Sequence, residues 1–310
     1  MHSYGPPDVL RAEDAPRPEA GDGEVLVRVR AAGVNAIDWK IRAGHLQQMI
    51  PYPLPLILGL DFSGEIAVAG AGATGHAVGD AVYGRVDLMR LGTYAEYVVA
   101  RPGELTVKPK SVDHVHAAAV PLVALTAWQA LIAGVQGAPS IGVETGQRVL
   151  IHGAAGGVGS FAVQLAKWRG AHVIATLQGR DAAFVRGLGA DEVIDYTRQR
   201  FEDVVAEVDA VLDVVGGETQ ARSWQVLREG GTLASTVGQP SEEEATARGA
   251  RAIAVMAQTD VAQLDEIARL IDAGTLAPAV SEVFPLAQAA RSHARLEAGG
   301  VQGKVVLEVA

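Results

Sequence analysis

The chain has 310 residues, enough for two domains of ordinary size, and its 49% apolar and 20% charged residues are globular composition, not disorder. A formal net charge of −10 speaks against a general nucleic-acid binder, which needs a basic face, so no nucleic-acid partner is expected. Cysteine is absent, which excludes disulfides and thiolate metal sites.

The N-terminal stretch MHSYGPPDVLRAEDAPRPEAGDG has no apolar signal core, and the expected compartment is the cytoplasm. Residues 24–32, EVLVRVRAA, alternate Val25, Val27 and Val29 with Arg28 and Arg30, which predicts a half-buried strand. Strand-like text punctuated by Gly and Pro continues to about residue 110 and predicts a mostly β first domain. Residues 117–135, AAAVPLVALTAWQALIAGV, carry no charge over a length that approaches a membrane span. Their alanine content, Pro121, Gln129 and the lack of a second such segment favour a helix buried in a soluble core, with no membrane partner.

From about residue 118 the rhythm changes. Strands are expected at 148–153, 172–177, 192–194, 209–215, 232–237 and 252–256, alternating with helices, one of them at about 261–273. Such alternation predicts a parallel sheet covered by helices on both faces. SEEEATARG (241–249) reads as a charged, helix-prone surface element. After Gly274 a strand, a helix and a last alternating strand, Lys304–Val309, return to the earlier style. The expected division is therefore 1–117 with 275–310 as one domain and 118–274 as an inserted second.

The inserted part opens on VLIHGAAGGVGSFAVQLAK (149–167), where four glycines separate a strand from a helix that begins near Gly157. Val158, Phe161, Ala162, Leu165 and Trp168 recur at helical spacing and give that helix one apolar face. Free N–H groups and the helix dipole favour an anion there, and a missing Cβ lets a pyrophosphate approach. The register Ala154-Ala155-Gly156-Gly157-Val158-Gly159 matches G-x-G-x-x-G with alanine in the first place, in the strand–turn–helix context that makes the match informative. A plain tight turn is the competing use of these glycines. The second strand ends Thr176-Leu177-Gln178-Gly179 with no carboxylate for a ribose, and Arg180 follows, with Tyr196 after the third strand. A guanidinium on a 2′-phosphate contributes about 1.5–3 kcal/mol, so NADP(H) is the predicted cofactor. Asp181 is the competing residue, since a one-residue shift would bring it to the ribose, and Arg180 as a solvated turn residue is the other reading.

Eight segments, in order, resemble the medium-chain dehydrogenase/reductase superfamily and, within it, the zinc-independent quinone oxidoreductase (zeta-crystallin-like) branch. They are AAGVNAIDWKIRAG (31–44), LGLDFSGEI (58–66), VGDAVYG (78–84), GTYAEYVV (92–99), AAAVPLVALTAWQAL (117–131), the glycine segment above, LGADEVIDY (188–196) and GKVVLEV (303–309). The resemblance implies an α/β fold, with a mostly β GroES-like catalytic domain and a doubly wound Rossmann cofactor domain. Relatives usually begin with about six more residues in a first strand before GPP, so a shortened or internal start is expected.

Zinc relatives have Cys where this chain has Asn35, His where it has Leu60, and a third ligand near Leu122; the four-Cys lobe has no counterpart. No metal is expected, and the eight histidines are scattered. Without a metal to stabilise an alkoxide, the implied reaction is hydride delivery from NADPH to a quinone or an α,β-unsaturated carbonyl. The resemblance implies that Asn35 bonds the acceptor oxygen or the nicotinamide ribose, Asp38 orients this group or a neighbouring hydroxyl, and Lys40 stabilises a developing enolate or hydroquinone anion or contacts the ribose. The plainer alternatives are a helix cap for Asp38 and a solvated Lys40. Thr126 is expected to face the nicotinamide, as are the loops Val214-Val215-Gly216-Gly217 and Val237-Gly238. Substrate is expected in the cleft between the domains. The alternatives are an enoyl reductase of fatty-acid or polyketide type, with Tyr52 the sole nearby proton donor, and a low-turnover NADPH-binding, RNA-binding protein of crystallin type. A homodimer is implied by the resemblance alone.

Overall fold

The computed structural model describes residues 1–135 and 137–310. The chain first lays down β1 (Val25–Val34), α1 (Ala36–Arg42), β2 (Asp61–Ala69), β3 (Ala81–Arg85), β4 (Tyr97–Ala100), β5 (Leu105–Val107) and α2 (His114–Ala118). There follow α3 (Pro121–Leu131), β6 (Arg148–Ile151), α4 (Gly157–Trp168), β7 (His172–Leu177), α5 (Ala182–Gly187), β8 (Glu192–Asp195), β9 (Val208–Asp213), α6 (Gly217–Ser223), β10 (Leu227–Ser235), α7 (Glu242–Ala247) and β11 (Arg251–Ala254). Last come α8 (Val261–Asp272), β12 (Val280–Pro285), α9 (Ala289–Glu297) and β13 (Lys304–Glu308).

Two compact units result. The first holds Met1–Leu122, Thr259–Gly274 and Pro278–Ala310 around a seven-stranded sheet ordered β12-β13-β1-β2-β3-β5, with β4 also on β1. Here β1 is central, flanked by β13, β2 and β4, all antiparallel to it. Val25, Val27 and Val29 are buried and Arg28 is exposed, as the alternation demands, while half-buried Arg30 pairs with Glu65 at 2.9 Å. The pairing of β13 with β1 sets Val305 opposite Val34 and Val306 opposite Gly33, so Lys304 arrives beside the end of β1 and the start of α1.

The second unit holds Val123–Gln258 and Thr275–Ala277. Its six strands, ordered β11-β10-β9-β6-β7-β8, are all parallel. Counted from its own first strand this is the doubly wound order 3-2-1-4-5-6, whose direction reverses between β6 and β9. The glycine turn leaves β6 at that reversal.

Two expectations change. The uncharged stretch 117–135 is not one helix: α2 closes on Ala119, and Pro121, whose fixed φ suits a first helical position, opens α3. Among the described residues no helix is long and apolar enough to cross a membrane. The division also falls elsewhere than at 117/118 and 274/275, because α8 belongs with the first unit. Tyr83 Oη donates to the Leu264 carbonyl at 2.7 Å, and the Thr106 hydroxyl bonds the Asp265 carboxylate. The sequence places a helix at about 261–273; in the structure it buries Leu264, Ile267, Leu270 and Ile271, and periodicity alone does not say which sheet such a face covers.

Candidate active site

The second unit gathers most of the predicted cofactor residues at the C-terminal ends of its strands. Gly153 adopts φ +66°, and a Cβ there would stand 2.7 Å from Val214 Cγ2. A Cβ on Gly159 would overlap the Gly153 carbonyl and lie 2.6 Å from Ala154 Cα. Protein packing therefore explains these two glycines. Gly156 is different: its φ of −76° and ψ of −180° suit any residue, and a Cβ would meet only the Gly153 oxygen, at 3.5 Å. Nothing in the chain requires this residue to be bare, so the cradle it leaves is free for a ligand. Gly157, Val158 and Gly159 form the first turn of α4, whose N–H groups have no intrahelical acceptors.

Ala154 is buried, and its N–H donates to the Thr176 carbonyl at 3.2 Å, tying the turn to the end of β7. Buried His152 fixes the Thr176 side chain. Ser223 donates its hydroxyl to the Thr219 carbonyl at 2.7 Å, so it accepts from His152 Nε2; Nδ1 then accepts from the Thr176 hydroxyl at 2.9 Å. Burial pushes the His152 pKa down to about 4, keeping the ring neutral. Gly179 opens a short 3-10 turn and its bare side faces the Asp195 carboxylate. Arg180 and Tyr196 stand 62% and 53% exposed after β7 and β8, while Asp181 is buried, with a side chain only 7% exposed. Its carboxylate is covered, with Oδ1 3.9 Å from Arg180 Nε, and is not presented to a ribose. Val214, Val215, Val237 and Gly238 follow β9 and β10, with Val215 and Val237 exposed. Thr126 lies buried on α3.

In the first unit Asn35, Asp38 and Lys40 lie on the joint of β1 and α1. Asn35 caps α1, and the Asp38 carboxylate accepts its N–H at 2.8 Å. The Asn35 side chain turns inward. Its Nδ2 donates to Asp61 Oδ2 at 2.9 Å and its Oδ1 accepts from the Lys304 ammonium, which also donates to the Val34 carbonyl at 2.6 Å. Asp61 Oδ1 accepts the Leu122 N–H at 3.0 Å. Tyr94 donates to Asp38 Oδ2 at 2.9 Å and meets His293 Nε2 at 3.3 Å. Asn35, Asp38, Asp61, His293 and Lys304 are buried, and Tyr94 and Leu122 are half-buried. Asn35 and Asp38 therefore present an engaged amide and a capping carboxylate, and only Lys40, half-buried over the Trp39 ring, is a cation with access to solvent. Tyr52 is likewise committed: it is buried, donates to the Leu88 carbonyl at 2.8 Å, and burial raises its pKa to about 12. That removes the proton donor on which the enoyl-reductase alternative relied.

Burial, with the Asp61 charge adding to it, raises the Asp38 pKa to about 7 against the opposing bonds from Asn35 and Tyr94 and the Lys304 charge. The folded chain thus holds this proton more tightly than the unfolded chain does. The resulting stability is complete below the unfolded carboxylate range and is lost as pH rises toward 7. Urea unfolding of Asp38→Asn beside the parent is expected to show the parent losing roughly 3–4 kcal/mol more than the variant between pH 4 and pH 8. Parallel pH profiles would refute it.

Residues 21–110 match the family model described as "Alcohol dehydrogenase GroES-like domain" and residues 188–307 the one described as "Zinc-binding dehydrogenase". The mitochondrial NAD(P)H oxidoreductase RTN4IP1 of Danio rerio is 35% identical over 100% of this chain and 90% of its own. The chain belongs to the medium-chain dehydrogenase/reductase superfamily, in its zinc-independent quinone oxidoreductase branch. Another member, the chloroplastic NADPH-dependent alkenal/one oxidoreductase of Arabidopsis thaliana, is 33% identical over 98% of this chain and 77% of its own. The solved quinone oxidoreductase from Coxiella burnetii superposes with a TM-score of 0.93 at 36% identity, over 100% of this chain and 98% of that one. The two units are accordingly the GroES-like and Rossmann-type halves of this superfamily.

The word zinc in that family description does not fit the donors of this member. Where a tetrahedral site needs thiolate, imidazole or carboxylate, the chain offers the engaged Asn35 amide and the hydrocarbon of Leu60 and Leu122. Among the described residues no group of three or more His, Asp or Glu is arranged to hold a metal ion. The sequence reading missed Asp61, Tyr94 and Lys304, and had set His293 aside among the scattered histidines.

Proposed function

We propose that this member of the superfamily is a metal-free, NADPH-dependent reductase that passes hydride to a quinone or an α,β-unsaturated carbonyl. The observation that carries the reading is Gly156, a bare, unstrained residue beside a helix start, in a chain that has no donors at the zinc position of its relatives. Bound NADPH supplies the hydride.

The chain's own groups have the following proposed duties. The N–H groups of Gly157, Val158 and Gly159 donate to the pyrophosphate, with Ala154 and Gly156 leaving it room. Thr176, held by His152, and Gly179 border the ribose, while exposed Arg180 and Tyr196 take the 2′-phosphate. Thr126, Val214, Val215, Val237 and Gly238 border the nicotinamide. Lys40 stabilises the enolate or hydroquinone anion that forms on the acceptor, while Asn35 and Asp38 hold the turn that carries it. A homodimer in the cytoplasm is proposed with this reading.

Quenching of tryptophan fluorescence by NADPH and NADH, followed by oxidation of each with a panel of quinones and enones, tests it. Binding of NADPH with turnover of either acceptor class is the expected result, and failure of both nucleotides to bind would end the reading. Arg180→Ala is expected to lower the preference for NADPH over NADH by about ten- to a hundredfold, the loss of one charge-assisted bond. An unchanged preference would remove Arg180 from the site.

A further inference from the structure

Beneath the exposed loops of the second unit lies a carboxylate that no proposed duty uses. Asp213, the last residue of β9, has 0% exposure. Its Oδ1 accepts the N–H groups of Val215 at 2.9 Å and Gly216 at 2.8 Å. Its Oδ2 accepts from Gln220 Nε2 at 2.9 Å and from the Ser235 hydroxyl at 3.0 Å. Ser235 Oγ in turn accepts the Val237 N–H at 3.3 Å, and the Asp213 carbonyl accepts the Thr236 N–H at 3.0 Å. One side chain thus holds the loop after β9 directly and the loop after β10 through one hydroxyl.

The two loops also interlock with each other and with the glycine turn. A Cβ on Gly216, which sits at φ +82°, would stand 2.9 Å from Val237 Cγ2. A Cβ on Gly153 would stand 2.7 Å from Val214 Cγ2 and 3.3 Å from Val215 Cγ2. Only glycine at these two positions leaves room for the valines of the neighbouring loop, so the two loops and the glycine turn pack closely. Val215 and Val237, 54% and 42% exposed, ride on these loops as an apolar surface held from below. Four donors converge on a buried carboxylate, an arrangement that is strong when fully satisfied and leaves four orphaned donors when it is removed.

We propose that Asp213, acting with Ser235, is a positioning residue that fixes both loops at the height at which NADPH is bound. The inference rests on the proposed function. It predicts a split in the kinetic constants: the loops meet the nucleotide, so the Kd and KM for NADPH move while the KM for the quinone stays.

Fluorescence titration with NADPH, steady-state kinetics and thermal unfolding of the full chain test it. Asp213→Ala is expected to raise the Kd for NADPH by about tenfold or more, from the loss of charge-assisted bonds to both loops. Should Asp213→Ala not fold, Ser235→Ala, which removes one small hydroxyl, carries the test with an expected rise of about threefold to tenfold. Ser235→Thr keeps the hydroxyl and is expected to restore the parent affinity. A Kd unchanged in Ser235→Ala and Asp213→Ala despite lowered melting temperatures would make Asp213 merely structural and overturn the proposal. So would a quinone KM that shifts as far as that for NADPH. If the parent chain itself binds no NADPH, the proposed function falls and this inference with it; if the parent binds and the variants match it, only this inference falls.

Discussion

Gly156→Ala is expected to leave the fold intact and to weaken NADPH binding by about ten- to a hundredfold, whereas Gly159→Ala is expected to cost about 3 kcal/mol of stability. The two glycines lie three residues apart in one motif, but their bare sides face different things. At Gly156 the backbone is already in a region open to every residue, and an alanine methyl meets one oxygen at ordinary contact distance. Alanine is a somewhat poorer helix cap than glycine, but it restricts the unfolded chain more, and the two effects are of similar size and opposite sign. What the methyl does fill is the cradle in front of the first turn of α4. At Gly159 the methyl would enter the backbone of Gly153 and Ala154, which are not flexible side-chain ends and must move as a loop. Thermal unfolding and NADPH titration of both variants decide the matter. A Gly156→Ala protein that binds NADPH as the parent does would show that the gap at this position has no ligand to receive.

The glycine motif was legible because local chemistry carried it: a strand, a turn that needs φ above zero at Gly153, and an apolar face at helical spacing. The alternation of strands and helices was legible for the same reason, and every expected strand from 148 to 256 has a counterpart, though β10 begins earlier, at Leu227, with a register irregularity before Thr232. What did not show was pairing at long range. Lys304 stands in KVVLE as one cation opening an apolar strand, Asp61 as one acid after a leucine, Asp213 as one acid closing VDAVLD. A charged residue in an apolar run does announce that some partner must exist. Which partner depends on the register of β13 against β1, and Asn35 and Lys304 are 269 positions apart. The same lack of pairing information hid the allegiance of α8 and made Asn35 look like a free amide. His152 was dismissed with its isolated fellows because both of its hydroxyl partners come from other strands and helices.

Lys304→Met should then be strongly destabilising, at about 3–5 kcal/mol, because it removes the stronger of the two cationic charges acting on buried Asp61 and leaves only that of Arg85. Lys304 Nζ lies 4.0 Å from Asp61 Oδ2, and the Asn35 amide joins the two, accepting from the lysine and donating to the carboxylate. Burial holds the lysine pKa down and the aspartate pKa up, while each is pulled back by the other's charge. With the ammonium gone, the largest pull on Asp61 goes with it, and its pKa climbs further, against the remaining pull of Arg85 and of the Asn35 and Leu122 bonds. The folded chain then favours protonated Asp61, so the loss caused by Lys304→Met should shrink as pH falls and grow as it rises. Adding Asp61→Asn in the Lys304→Met background removes the uncompensated charge and keeps an acceptor for the Leu122 N–H, so the double variant should recover part of the stability. Asp61→Asn alone should be destabilising, since it strands the lysine instead. Urea unfolding of the four chains at two pH values yields the coupling energy directly. If the two single losses simply add, the ammonium and the carboxylate do not interact, and the order imposed on Asn35 must come from the backbone contacts alone.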